Sequence, residues 1–340
     1  MNIREALQQV VEKKSLTEND AFEVMNQMMS GEATPAQIGA FITALRMKGE
    51  TIEEITGMAK SMRKFAHNIT PKHEHLVDTC GTGGDHSGTF NVSNTAAFIA
   101  AGAGVAIAKH GNRSVTSKSG SADVLEALGV KIDLQPKQVE NCINEVGIGF
   151  MFAPIFHGAM KHAIGPRKEI GIRTVFNILG PLTNPANATG HLLGVFSKDI
   201  VDIMAKVLKN LGVKHAYIVN GHDSIDEISI TGPTNVALIK DNQIIKDIIS
   251  PEKLGLKKAA SKDEIKGYDA KKNAELILDI LGNKKIGPYT DISILNAAAV
   301  IVAGNKTASL EKGVELAKKS ITSGAALEKL NALVNFTHKC

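Results

Sequence analysis

The chain is predicted to be an α/β protein in which a small helical N-terminal domain precedes a larger α/β domain with a mostly parallel central sheet. Three observations carry this. Residues 1–66 read as helix throughout; from about residue 70 short apolar runs alternate with amphipathic stretches; and four glycines, Gly81, Gly83, Gly84 and Gly88, interrupt the first passage from strand to helix. The expected division is a helical domain over 1–66, joined by an excursion over 157–185, and an α/β domain over 70–340.

The helical part is punctuated by its own caps. Thr17 precedes Asp20 in a capping arrangement, Gly31 stops that helix, Thr34-Pro35 opens the next as N-cap and first residue, Gly49 ends it, and Thr51 with Glu54 forms a capping box for a fourth helix reaching Ala66. Val24, Met28, Ile38, Phe41, Ile42, Leu45, Ile55, Met58 and Met62 recur at helical spacing. A bundle this small cannot bury every apolar face, so a self-complementary dimer surface is expected on it.

The stretch 75–111 reads strand, glycine loop, helix, strand. Leu76 and Val77 make a short extended run, the glycines remove side-chain bulk, and Asn91 is placed to cap a helix over 92–101. Free N–H groups at that helix start, next to a loop whose backbone can approach closely, suit an anion such as phosphate. A buried strand over 105–108 then ends in Lys109-His110-Gly111-Asn112-Arg113, and ligands in such sheets gather at the carboxyl ends of strands. The glycine spacing matches neither G-x-x-x-x-G-K-[ST] nor G-x-G-x-x-G. Pattern alone therefore reaches a phosphate-bearing ligand and stops.

Further strands are predicted over 130–134, 148–153, 192–196, 215–219, 227–230 and 236–240. Helices are predicted over 121–128, 136–146, 198–211, 270–281, 292–303 and 310–333. The segment 157–185 breaks the alternation with two Gly-Pro pairs and a cluster of cations, as a helical excursion from the sheet would. A hinge between two lobes is where a two-substrate site would lie.

Composition excludes several classes of function. A net charge of only +4 with mixed signs, 4% aromatic residues and no Trp argue against a nucleic-acid surface, which needs a basic stripe or stacking platforms. No apolar run approaches the roughly 20 residues of a membrane span. The three cysteines, Cys80, Cys142 and Cys340, include no C-x-x-C, so neither a disulfide framework nor zinc is expected and a cytoplasmic setting fits. Cys80 has no base placed beside it by sequence and is read as a small residue near a ligand.

Two segments could carry chemistry. The loop after the second strand offers Lys109, His110, Asn112, Arg113, Ser114, Thr116, Ser117, Ser119 and Ser121, a set of cations and short hydroxyls fit for an anion; Ser119 or Ser121 can also cap the helix that follows. Asp226-Glu227 is an adjacent acidic pair, and hard oxygen ligands near phosphate suit Mg²⁺, with Asp85 and Ser93 as further ligands of the same kind. In a regular strand the two acids would face opposite ways, so both could serve only from a loop or on different ions.

The runs Asp78-Thr79-Cys80-Gly81-Thr82-Gly83-Gly84-Asp85, Asn91-Val92-Ser93, Lys109-His110-Gly111-Asn112-Arg113, Ser119-Gly120-Ser121-Ala122-Asp123, Gly165-Pro166-Arg167-Lys168, the segment from Asn177 to Pro185 and Asp226-Glu227 together resemble the anthranilate phosphoribosyltransferases. The resemblance covers essentially the whole chain in order. It implies the nucleoside phosphorylase/phosphoribosyltransferase type of fold, a homodimer, and Mg²⁺-dependent transfer of the 5-phosphoribosyl group from phosphoribosyl pyrophosphate (PRPP) to the amine of anthranilate in tryptophan biosynthesis. By the same resemblance Gly81, Gly84, Asp85, Thr89, Asn91, Val92, Ser93, Asn94, Lys109, His110, Gly111, Asn112, Arg113, Ser114, Val115, Thr116, Ser117 and Ser121 hold PRPP. Gly81, Asn112 and Arg167 hold anthranilate, with His110 and Pro181 near its ring, and Ser93, Asp226 and Glu227 bind two Mg²⁺ per monomer. His86 and Asn94 vary slightly from the usual pattern. No covalent nucleophile is expected. A nucleoside phosphorylase, or a non-catalytic nucleic-acid-binding relative of the same fold, is the alternative; Arg167, the 177–185 run and the retained acidic pair speak against them.

Overall fold

The computed structural model describes every residue except His86 and 115–117. The chain opens with α1 (Ile3–Val11), α2 (Glu18–Ser30), α3 (Pro35–Lys48) and α4 (Ile52–Phe65). Their starts are fixed as the caps require: Thr17 Oγ accepts from the Asp20 N–H, and Thr34 with Gln37 and Thr51 with Glu54 form reciprocal boxes. Glu54 does more than cap, because its buried carboxylate also accepts from the Leu16 N–H and from Lys48 Nζ, both at 2.9 Å. Met25, Met28, Ile38, Phe41, Ile42, Leu45, Ile55 and Met58 are fully buried between the helices. α2 and α4 approach so closely that a Cβ on Gly57 would lie 2.1 Å from the Glu18 carbonyl oxygen.

The α/β part follows as β1 (Leu76–Gly81), α5 (Val92–Gly102), β2 (Ala106–Gly111), α6 (Ser121–Ala127), α7 (Pro136–Val146) and β3 (Ile148–Phe152). The excursion then comprises α8 (Ala153–Phe156), α9 (Lys161–Ile170) and α10 (Phe176–Leu179). It rests on the first helices: Ile170 Cδ1 would lie 3.5 Å from a Cβ on Gly39, and Ala163, Phe176, Leu179 and Leu182 share one apolar cluster with α2, α3 and α4. The chain returns as β4 (Gly190–Gly194), α11 (Val201–Asn210), β5 (His215–Gly221), β6 (Thr234–Lys240) and β7 (Gln243–Ile249). It closes with α12 (Ala270–Leu281), α13 (Pro288–Ala303), α14 (Leu310–Thr322) and α15 (Ala325–Lys339).

The strands form one sheet in the order β3-β2-β1-β4-β5-β6-β7, parallel from β3 to β5 and antiparallel at β6 and β7. The predicted fold class is borne out. α13 is apolar nearly all round and lies buried beside α5 in the larger core, while α11 covers the opposite side with the helical cluster.

Two predicted strands do not form. In 130–134 the alternation is real, with Val130, Ile132 and Leu134 buried, but the segment has no strand neighbour among the described residues and the Lys131 N–H goes to Thr337 Oγ. Over 227–230 the ladder is replaced by a side chain: Asn296 accepts from the Ile228 N–H and donates to the Ile228 carbonyl, both at 2.9 Å. One strand was not predicted. β7 pairs with β6 across Asp241 and Asn242, whose φ values of 50° and 59° make the tight hairpin turn that these residue types tolerate. The helix expected over 310–333 is two, divided at Gly324 with φ 81°.

Candidate active site

β1, β2 and β4 end side by side, and their carboxyl ends carry the site. Two glycines admit its acidic part. A Cβ on Gly81 would lie 2.2 Å from Asp226 Oδ2, and one on Gly194 would lie 1.5 Å from the Asp226 carbonyl oxygen, so the 226–227 segment can cross the ends of β1 and β4 only because both positions lack side chains. Asp226 accepts from the Gly83 N–H at 2.8 Å, and its own N–H donates to Asp85 Oδ2 at 3.3 Å. Residues 226 and 227 lie outside regular strand, which frees them from facing opposite ways. Burial, with the Asp85 charge second, pushes Asp226 up to about 7, and burial with Asp226 alongside drives Glu227 well above its ordinary value. Three acids gathered this way are short of positive charge.

Lys109 enters from β2. Its buried ammonium donates to the Thr79 carbonyl at 2.5 Å and to Ser93 Oγ at 3.2 Å, and burial lowers its pKa while Asp78 and Glu227 work against that. Asp78, wholly buried below, accepts from the His110 N–H at 3.1 Å and from Asn184 Nδ2 at 2.8 Å, and burial raises it to about 6. Asn184 Nδ2 also donates to the Ala108 carbonyl, tying the end of the excursion to β1 and β2. Cys80 is pushed well above its ordinary value by burial and by Asp78, so it is a protonated thiol and no nucleophile.

The other expected phosphate contacts fall into two groups. Gly84, with φ 71°, is covered by Arg173, which donates to its carbonyl and stacks 4.6 Å from the Phe196 ring. Thr89 pairs with Lys266, and Asn91 Oδ1 accepts from Asn273 at 3.3 Å instead of capping α5. The Val92 side chain is buried, which leaves only its backbone to a ligand. Asn94 is also buried, and its amide donates to the Ser121 carbonyl at 3.0 Å. Gly111 admits Ser121, whose hydroxyl would lie 2.4 Å from a Cβ there and donates to the Asn112 carbonyl. The residue that precedes α6 is Gly120, so neither Ser119 nor Ser121 caps it. Arg113 and Ser114 both turn toward Asp123. Val115, Thr116 and Ser117 lie outside the described residues.

Next to Lys109, the end of β2 carries one of two neutral rings. His110 and His157 meet at a tilt of 54° with ring centroids 5.0 Å apart, and burial lowers them to about 3 and about 4, so both are neutral at pH 7. Gly180 offers its carbonyl to the His110 ring, which places the adjoining Pro181 near this pair. Arg167 projects from α9 with its guanidinium carbon 4.9 Å from the Phe176 ring centroid. Among the described residues no carboxylate lies within ion-pairing distance of it, Glu169 included. Arg173 is missed by the sequence pattern, and although Asn184 and Asp123 fall in runs that carry the resemblance, nothing local shows what they bond; the partners of the three lie 89, 106 and 9 residues away.

Comparison with known proteins agrees with this arrangement. Residues 4–66 match the helical bundle domain, and residues 73–327 the a/b domain, of a glycosyl transferase family. An anthranilate phosphoribosyltransferase of Acetivibrio thermocellus is 54% identical over 99% of this chain and 97% of its own length, and that of Thioalkalivibrio sulfidiphilus is 49% identical over the full length of both. The chain belongs to the anthranilate phosphoribosyltransferase family. Among solved members of that family, the Thermus thermophilus enzyme is 41% identical, with a TM-score of 0.93 over 98% of this chain and 99% of that one. The Saccharomyces cerevisiae enzyme in complex with PRPP and Mg is 28% identical, with a TM-score of 0.92 over 99% of this chain and 98% of that one.

As a member of this family the chain carries hard oxygen donors that fit Mg²⁺. Ser93 Oγ and Glu227 lie beside Lys109 and Asp226 adjoins Glu227, so hydroxyl and carboxylate oxygens of the kind Mg²⁺ takes are brought together. Among the described residues no group of three or more His, Cys, Asp or Glu is arranged to hold a metal alone, so further oxygens from substrate and water would complete the shell.

Proposed function

We infer that the enzyme transfers the 5-phosphoribosyl group of PRPP to the amine of anthranilate, giving N-(5-phosphoribosyl)anthranilate and pyrophosphate, the second step from chorismate toward tryptophan. The observation that carries this reading is the gathering, at the carboxyl ends of β1, β2 and β4, of charge-deficient acids beside Lys109 and of the neutral His110–His157 pair; Arg167, on α9, has no carboxylate partner among the described residues. The first suits a metal-bound pyrophosphate. The second suits a flat aromatic acid, whose carboxylate Arg167 would take while His110 and Pro181 flank the ring and Gly81 and Asn112 complete the contact.

We assign PRPP to the loops after β1 and β2, with Gly84, Asp85, Thr89, Asn91, Ser93 and Lys109 closest to its charges. Ser93, Asp226 and Glu227 would hold two Mg²⁺ per monomer, which when bound offset the charge that grows on the departing pyrophosphate. Lys109 adds a fixed positive charge to the same end. The aniline nitrogen of anthranilate is neutral at pH 7, so attack on C1 of the ribose needs alignment more than a base, and the neutral histidines leave that nitrogen unprotonated. Mixing the protein with Mg²⁺, PRPP and anthranilate tests the reading: anthranilate fluorescence should fall with time, and a constant signal contradicts it.

We further propose that 1–66 and 157–185 act as one lobe against the rest, and that this lobe joins a second copy. Met47, Val11, Ile172 and Ile164 are 82%, 62%, 50% and 49% exposed on or beside α3, α1 and α9, apolar side chains that a homodimer would cover. Met47→Glu should shift the sedimentation coefficient from dimer to monomer, and an unshifted dimer would place the interface elsewhere. No described helix is long and apolar enough to cross a membrane. The three free thiols suit the cytoplasm, where we place the enzyme.

A further inference from the structure

Arg113 occupies the second anion loop, where a phosphate ligand is expected, yet its guanidinium is turned onto α6. Nη1 donates to Asp123 Oδ1 at 2.9 Å and also to Glu126, and Nη2 donates to Glu126 Oε1 at 2.9 Å. The other oxygen of Asp123 accepts from the Gly120 N–H at 2.7 Å and from the Ser114 N–H at 3.1 Å. The two stems of the loop meet here: a Cβ on Gly120 would lie 2.3 Å from the Ser114 nitrogen, and the Asn112 carbonyl accepts from the Ala122 N–H and from Ser121 Oγ, both at 3.2 Å. One aspartate, one glutamate and one arginine thus fasten both ends of the loop to the first turns of α6.

We propose that Asp123 and Glu126 are positioning residues for PRPP, acting through Arg113, and that Arg113 serves as the internal fastening of the loop and not as a phosphate ligand. This rests on the phosphoribosyl-transfer reading above. Side-chain exposures of 48%, 24% and 43% for Arg113, Asp123 and Glu126 mean that the ion pairs contribute little to global stability. Their effect lies in order. Asn112 and Ser114 are held in place before substrate arrives, so less conformational entropy is lost when PRPP binds.

The test is a double-mutant cycle on the full-length enzyme with Arg113→Gln, Glu126→Gln and both, combined with hydrogen exchange over 109–121 without substrates. Each single variant should raise KM for PRPP about three- to tenfold, with kcat within about twofold, and the double variant should be no worse than the poorer single. Exchange over 109–121 should quicken in all three while the unfolding midpoint moves by less than about 2 °C. If Glu126→Gln leaves KM for PRPP unchanged or lowers it while Arg113→Gln raises it, or if the two losses multiply, Arg113 contacts the phosphate directly and the proposal falls. Unchanged exchange overturns it as well. Absence of turnover in the unaltered enzyme would instead refute the transferase reading, and the exchange comparison would still decide the fastening.

Discussion

The two ends of the site are enclosed by the same protein yet respond to enclosure in opposite ways. At the acidic end, burial and mutual repulsion raise Asp226 to about 7 and Glu227 well above its ordinary value, a cost that added cations relieve. At the histidine end, burial lowers His110 and His157 to about 3 and about 4, so both rings are neutral, and what each lacks among the described residues is a hydrogen-bond partner for its buried Nε2 and not a counter-charge. One end is short of charge; the other is short only of hydrogen bonds. A transferase that must gather a polyanionic donor and a planar acceptor profits from both.

The largest expected effect comes from removing the acidic end. Asp226→Asn with Glu227→Gln should lower turnover by about a thousandfold or more at ordinary Mg²⁺, since charge compensation at a leaving group is commonly among the largest catalytic terms. Circular dichroism should remain native, and full activity in this variant would remove the metal role. Arg167→Ala comes next. A hydrogen bond to a charged group contributes roughly 1.5–3 kcal/mol, so use of anthranilate should weaken about ten- to a hundredfold while PRPP is affected much less. Equal loss for both substrates would show that Arg167 is misassigned.

A third prediction separates the ends by pH. The folded pKa of His157 lies below the ordinary 6.5, so between about 4 and 6.5 the unfolded chain binds more protons, and the stability gained by keeping the ring neutral is present above 6.5 and lost as pH falls toward 4. Denaturant titrations at pH 7.5 and 5.0 should therefore show that His157→Asn flattens the acid loss by about 1–2 kcal/mol. An unchanged slope would mean that the ring is not held neutral. The smallest effect is expected from Phe176→Leu, which removes the aromatic face under Arg167 and should raise KM for anthranilate only about two- to fivefold, in keeping with a cation–π contact of about 0.5–1 kcal/mol.

The sequence showed these elements unevenly. Helix starts were readable because Thr17, Thr34 and Thr51 act within three residues of themselves. The parallel sheet and the family followed from local runs and short motifs. The false strand over 227–230 shows the limit: its apolar pattern is genuine, but its partner is Asn296, 68 residues on, and no local signal marks a side chain that substitutes for a ladder. The same holds in the site. Asp226-Glu227 and the glycine loop can be seen in the sequence, whereas Arg173 over Gly84 and Asn184 against Asp78 depend on where the excursion returns.

Gly81 and Gly194 look alike in the sequence but answer to different masters. Gly81 yields to the Asp226 carboxylate, and Gly194 to the path of the main chain at the same residue. Over evolutionary drift, a descendant that lost the acid at 226 would be free to place a side chain at 81 while position 194 stayed closed. Only rerouting of the segment would release both, so a collection of divergent descendants should show 81 varying together with 226 and 194 varying with neither.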